Sequence, residues 1–364
     1  MGWCVVAGFR RPAPAASGTL MLAAALLGTA LLGTGCTHAS YGDAPGGMRI
    51  GVAYGEGSLL DGTVNQSARA GVDAFVTASH GTVGAVREMV AVPEEPAGDR
   101  YDRLIILCES GYDPVIAIGD GYAGADPADG PLARAARTCP RTRFAIVGDS
   151  GVSAPNVANL VFADAQGAYL MGVAAARTSR TRQVGFLGDC STPPLAAQEA
   201  GYRAGVEAAG PGTRVIVKYL SDDPNGCPDG ADQRDARIAA DGLYDGGADV
   251  VYQAVGPAGA GVFEAAMEHG ATAIGTGGDQ YKTADPAVRD AIVTSQVDRV
   301  DIAVADLLHA VTRGSFRSGV TRYDVGNGGI RYATSGGHIA ALVPVLDGYR
   351  KKIGEGSIVV PGSP

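Results

Sequence analysis

The sequence contains no Cys-x-x-Cys pair, and its five histidines never fall at metal-ligand spacing, so no metal site is indicated. No Ser/His/Asp pattern stands out. Gly148-Asp149-Ser150 lacks the Gly-x-Ser-x-Gly elbow of a serine hydrolase, which argues against an enzyme. The stretch GEGSLLDG, from Gly55 to Gly62, lacks both the Lys-Ser/Thr of a phosphate loop and the GxGxxG spacing, so no nucleotide cofactor is expected. The formal charge is −9 with no basic cluster, which excludes nucleic acid as a natural partner. After Leu32 no apolar run approaches the ~20 residues needed to cross a bilayer.

What is present begins at the N-terminus. Arg10 and Arg11 precede an apolar run from Leu20 to Leu32, then Gly33, Thr34, Gly35 and Cys36. This is the three-part layout of an export signal. A cysteine directly after Gly35 resembles a lipobox, although Gly33 stands where a leucine is usual and Leu32 comes one step early. Residues 1–35 are therefore expected to be a lipoprotein signal peptide. Cys36 would carry diacylglycerol, each buried CH₂ holding the membrane by about 0.8 kcal/mol. Residues 36–47, small and polar, form a tether. The expected location is the extracytoplasmic face of the cell membrane, lipid-anchored.

Four cysteines remain besides Cys4 and Cys36. An exported chain meets oxidising conditions, which favours disulfides. Cys190 and Cys227 each follow a strand-like segment and are the first expected pair; Cys108 and Cys139 are the second. Free buried thiols are the alternative.

From Met48 strands and helices alternate. MRIGVAY, VREMVAV, DPVIAIGD and TRFAIVGD are apolar strands, separated by helices over 64–80, 99–111 and 131–138. After NVANLVFADAQG the pattern restarts, with a helix over 166–177 and strands at RQVGFLG, RVIVKYL and ADVVYQAV. Helices over 195–209, 230–243 and 258–269 follow, then ATAIGTGGDQ, DAIVTSQ and a helix over 299–312. The turn-rich TRYDVGNGGIRYA closes the second sheet. Continuous apolar strands fit parallel sheets covered on both faces, hence an α/β class. Polar residues gather after the strands: Asp120, Asp149, Asp189, Gly256 and Asp279. Ligands of open α/β sheets collect at those ends, so a cleft between two lobes is expected.

RIGVAYGEGSLLDGTVNQSARAGVDAF resembles the opening of the basic membrane protein family of substrate-binding lipoproteins, with Asp61, Asn65, Gln66 and Ser67 matching its pattern. FAIVGD, NVANLVFADAQGAYLMGVAAA, VGFLGD, EAGYRAGV, GADVVYQAVGPAGAGV and GDQY…IVTSQVDRVD continue the likeness in order. The resemblance implies a type I periplasmic-binding-protein fold: two Rossmann-like lobes with parallel sheets joined by crossover strands. It implies a receptor that delivers a small-molecule solute to the permease and ATPase of an ABC importer, with relatives that bind purine nucleosides. A sensor presenting its bound state to a membrane signalling partner is the alternative.

The expected lobes are 48–160 plus 275–298, and 161–274 plus 299–345, with 346–364 a tail. Expected ligand residues are Asp61, Asn65, Gln66, Tyr122, Asp149, Gly256, Asp279 and Asp298. Several positions depart from the family pattern. Gly55 and Gly277 stand where acids are expected, Val64 replaces a stacking phenylalanine, and Asp298 replaces a lysine. Tyr122 is the expected substitute aromatic face. Asp61, Asp149 and Asp298 would make an acidic cleft suited to a cationic or polyhydroxyl solute.

Overall fold

β1 (Met48–Tyr54) carries Ile50, Val52, Ala53 and Tyr54 without exposed surface, so it needs cover on both faces. α1 (Val64–Ala78) supplies part of that cover through Ala68, Val72 and Phe75 at helical spacing. β2 (Val83–Val90), α2 (Ala97–Glu109), β3 (Val115–Ile118), α3 (Pro131–Thr138), β4 (Phe144–Val147) and β5 (Val157–Phe162) follow. Their strands pair in parallel in the order β2-β1-β3-β4-β5. The structure is a computed structural model describing residues 46–60, 62–92, 95–221 and 232–363. The expected signal peptide over residues 1–35, Cys36, Asp61 and Cys227 lie outside the described residues.

The second lobe starts with α4 (Asp164–Thr178), β6 (Gln183–Cys190), α5 (Pro193–Ala209) and β7 (Arg214–Ser221). α6 (Gln233–Asp245), β8 (Val250–Ala254), α7 (Gly259–Glu268), β9 (Thr272–Gly275), α8 (Gln280–Thr283) and β10 (Ile292–Asp298) complete it. The strand order is β7-β6-β8-β9-β10, again parallel. α4 and α5 pack almost backbone to backbone. A Cβ on Gly201 or Gly205 would fall 2.1 or 2.0 Å from the carbonyl oxygens of Ala165 and Tyr169, so the glycines of EAGYRAGV serve this helix pair.

The chain then crosses back. α9 (Val300–Thr312) packs on α1, its Val300, Ala303, Val304 and Leu308 joining Val72 and Phe75 in one core. β11 (Gly319–Tyr323) adds in parallel beside β5. β12 (Ile330–Tyr332) returns to the second sheet, antiparallel to β10. α10 (Val343–Gly354) covers that lobe's core with Leu346 and Ile353. Three crossovers therefore join the lobes, at Phe162–Asp164, Asp298–Val300 and Tyr323–Ile330.

Three expectations are corrected. Residues 275–298 were expected in the first lobe, but β9 and β10 extend the ladder of β8 in the second. Of 299–345, expected in the second lobe, α9 and β11 belong to the first, because the apolar face of α9 matches that of α1 and the edge of β5 is open to pairing. The expected tail from 346 begins inside α10, whose apolar residues are needed in the core. Cys108, near the end of α2, and Cys139, just after α3, form a disulfide.

Candidate functional site

Each sheet has a point where successive connections leave in opposite directions: between β1 and β3 in the first lobe, and between β6 and β8 in the second. Loops diverge there and open a crevice beyond the strand ends. A cavity of about 360 Å³ occupies that crevice. Its first-lobe wall is built from Gly55 and Glu56 after β1, the start of α1, and Gly119 to Tyr122 after β3. Gly256 and Pro257, after β8, form the wall from the second lobe. The lips of the cleft meet nearby, where a Cβ on Gly278 would lie 1.9 Å from the Gly62 carbonyl oxygen.

Asn65, Tyr122 and Gly256 come together around this cavity. Asn65 is buried, and its Nδ2 donates to the carbonyls of both Gly55 and Glu56. With its amide hydrogens so engaged, the side chain has only Oδ1 to offer a solute, as an acceptor. Tyr122 was expected to present an aromatic face. It is 1% exposed, its hydroxyl donates to Tyr54 O at 2.9 Å and accepts from Arg103 Nε at 3.0 Å, so little of the ring is open to a solute.

Gln66, Asp279 and Asp298 do not share that cavity; they line a separate hollow of about 350 Å³. Gln66 Oε1 accepts from Gly62 N at 2.6 Å and so fastens the loop before α1. Asp279 Oδ2 meets Lys282 Nζ at 2.9 Å and the Ser335 hydroxyl at 2.6 Å. Asp149 lies in a third hollow of about 340 Å³, together with Asp164, Asp298 and Arg322. Its Oδ1 accepts from Gly151 N at 2.6 Å, a turn contact. This third hollow shares Val64, Val147 and Gly148 with the main cavity, so Val64 stands between the two spaces.

Charge in the cleft comes mostly from residues that sequence reasoning did not rank. Arg100 lines the main cavity, with Nη2 3.4 Å from Glu56 and Nε 3.6 Å from Glu95. Glu95 is in turn clasped by Arg103, whose Nη1 donates to Oε2 at 2.7 Å. The available signal was Arg100 and Arg103 at helical spacing on the face of α2 that buries Leu104 and Leu107. Asp120 also lines the cavity. Across the cleft, burial and then the Asp120 charge push the Asp189 carboxyl above its ordinary range, and Asp189 Oδ1 is buried without a hydrogen-bond partner among the described residues. Among the described residues, no three His, Cys, Asp or Glu side chains gather as a metal-ligand set.

Comparisons with known proteins agree with this geometry. A solved ABC transporter solute-binding protein from Conexibacter woesei superposes with a TM-score of 0.68 at 20% identity, covering 86% of this chain and 99% of that one. The fold is thus that of the type I periplasmic binding proteins. The CD4+ T-cell-stimulating antigen of Listeria monocytogenes is 29% identical over 85% of this chain and 86% of its own length. The ABC transporter nucleoside-binding protein BmpA of Lactococcus lactis is 29% identical over 61% of this chain and 64% of its own. Residues 49–363 match the Bmp family model, and the chain belongs to this family of PnrA-like ABC transporter substrate-binding proteins.

Proposed function

We propose that this protein is the solute receptor of an ABC importer, anchored by lipid on Cys36 at the outer face of the membrane. Its two lobes would close over a small polar solute, with the crossovers as hinge. The observation that carries the reading is the cavity at the switch points of both sheets, walled by Asn65, Arg100 and Asp120 from one lobe and by Gly256 and Pro257 from the other. No helix among the described residues is long and apolar enough to cross a membrane, so attachment would fall to the N-terminal segment.

The name of the Lactococcus relative makes nucleosides the first class to test. Val64 and the buried Tyr122 offer little stacking area, whereas Asn65 Oδ1 and Asp120 would accept hydrogen bonds from amino or hydroxyl groups. A solute rich in donors, either a polyhydroxyl or a cation, suits these walls better than a bare aromatic base. The test is a thermal-shift screen of the purified chain against nucleosides, sugars, amino acids and polyamines. A true solute at about 100 times its Kd stabilises by about 2.7 kcal/mol. Equal shifts from nucleosides and their 2′,3′-dideoxy analogues would remove the polyhydroxyl version, and no shift from any class would sink the reading.

A further inference from the structure

The third hollow continues the main cavity past a small side chain. The two spaces share Val64, Val147 and Gly148 as wall. Val64 is the first residue of α1, and Gly148 follows β4. Gly148 has a φ of +97°, and a Cβ placed on it would meet nothing within 4 Å, so the junction is open where the spaces adjoin. Pro194, near the start of α5, gives the hollow a wall from the second lobe. A solute seated in the main cavity therefore has room to extend past Val64 and stay between the lobes.

Charge sets what such an extension can carry. Asp149, Asp164 and Asp298 line the hollow, and among the described residues Arg322 is the cation that joins them there. Arg322 is exposed, so water and salt screen it. Two of the acids are held in place by one amide. Gln296, fully buried on β10, donates from Nε2 to Asp164 Oδ1 at 3.2 Å and to Asp298 Oδ1 at 3.0 Å. Its Oε1 accepts from the Tyr252 hydroxyl at 2.9 Å, which fixes the amide. Among the described residues, no hydrogen bond reaches the Oδ2 of either carboxyl. Phe162, stacked on Tyr323 at 5.4 Å between ring centres, adds an aromatic side chain to the wall, which suits an alkyl chain or a cation.

We propose that the solute is an elongated amine: its body lies in the main cavity, its chain passes Val64, and an ammonium group ends in the third hollow on Asp164 and Asp298. The Gln296 N–H bonds favour the ionised carboxyls, burial opposes them, and an incoming ammonium settles both as carboxylates. In the main cavity Asn65 Oδ1 and Asp120 accept from the donors at the other end, while Arg100 is spent on Glu56 and Glu95. The inference rests on the receptor reading above and narrows its solute from donor-rich molecules in general to linear, polyamine-like cations.

Spermidine is the probe, with putrescine as a shorter cation and triethylene glycol as a neutral chain of matching length. Each is titrated calorimetrically into the purified chain. Spermidine is expected to bind at least about tenfold more tightly than either. Val64→Phe keeps every charge and narrows the passage; it should weaken spermidine by about tenfold and leave putrescine nearly unchanged. Asp164→Asn and Asp298→Asn should weaken spermidine by a similar factor. Ser150→Lys, at an exposed position on the wall of the hollow, sets a rival ammonium there and should do the same. Spermidine that fails to bind, or binds no better than triethylene glycol, overturns the inference; a nucleoside or sugar that binds in that case leaves the receptor reading standing. Full-strength spermidine binding by Val64→Phe also overturns it, because general attraction to an acidic chain does not depend on the passage. Should Val64→Phe fail to fold, Ser150→Lys decides: weakened spermidine supports the inference, and an unchanged Kd overturns it.

Discussion

Asn65 Nδ2 lies 3.2 Å from Gly55 O and 3.1 Å from Glu56 O, so the first turn of α1 holds the loop that leaves β1. Replacing it with alanine strands two carbonyls at the cavity wall. Asn65→Ala is expected to lose about 1–3 kcal/mol of stability in urea denaturation. Asn65→Asp should lose more, since a carboxylate would face two carbonyl oxygens. If the aspartate variant is as stable as the wild type, the contact does not hold the loop.

The buried Glu95–Arg103 pair under the cavity makes a second prediction. Glu95 has no exposed side-chain surface, and Arg103 also supports the Tyr122 hydroxyl. Removing one partner of such a pair leaves an uncompensated buried charge, at a cost of about 3–5 kcal/mol. Glu95→Gln should therefore destabilise strongly. Burial works against ionisation of Glu95, but the hydrogen bond from Arg103 prevails and holds its carboxyl below the usual range. Its contribution is present above about pH 4.3 and is lost as pH falls through the lower folded value. The acid limb of the stability profile should flatten in Glu95→Gln; an unchanged limb would show that the pair does not titrate in this way.

Asp298 has the opposite sign. Its folded pKa, pushed up to about 7 by burial, lies above the ordinary ~3.9. Between those values the native chain binds a proton that the unfolded chain does not, so stability should fall as pH rises from about 4 to about 7. Asp298→Asn should lessen this fall, and Asp164, which burial also holds well above its ordinary range, supplies what remains. Chemical denaturation at several pH values checks it, and a wild-type profile that rises across the window contradicts it.

The lips of the cleft give a fourth prediction. Gly278 meets Gly62 with no room for a side chain, since the added Cβ would lie 1.9 Å from a backbone oxygen of the other lobe. Gly278→Ala is expected to leave each lobe folded and to weaken solute binding about tenfold or more, for about 1.4 kcal/mol of lost closure. Melting in the absence of solute should be nearly unchanged. Full-strength binding by the variant would mean that the lobes close elsewhere.

Much of the fold was legible because local pattern decided it. The spacing of Ala68, Val72 and Phe75 marks α1, and the uninterrupted apolar strands mark parallel sheets. Lobe membership after residue 275 was not legible, because it depends on which distant strand offers a free edge. β11 shows why: four of its five residues are exposed, and only its pairing with β5 defines it. In α10, Val343, Leu346 and Ile353 gave a helical signal, hidden by Pro344 and Gly348. At the candidate site, the ends of the strands border the cavity, and of the expected residues Asn65, Tyr122 and Gly256 line it. Gln66 and Asp149 stand near it in the chain but spend an oxygen each on their own loops. A single sequence shows the residue type and not the local bond that occupies it.

Three passages of the backbone between the sheets mean that neither half of the molecule is a contiguous piece of gene. A fragment ending at Phe162 would leave β5 as a raw edge and expose Val72 and Phe75, which α9 covers from more than a hundred residues downstream. Such a fragment should aggregate when produced alone, and a nascent chain must keep its first half from sticking until the last third arrives.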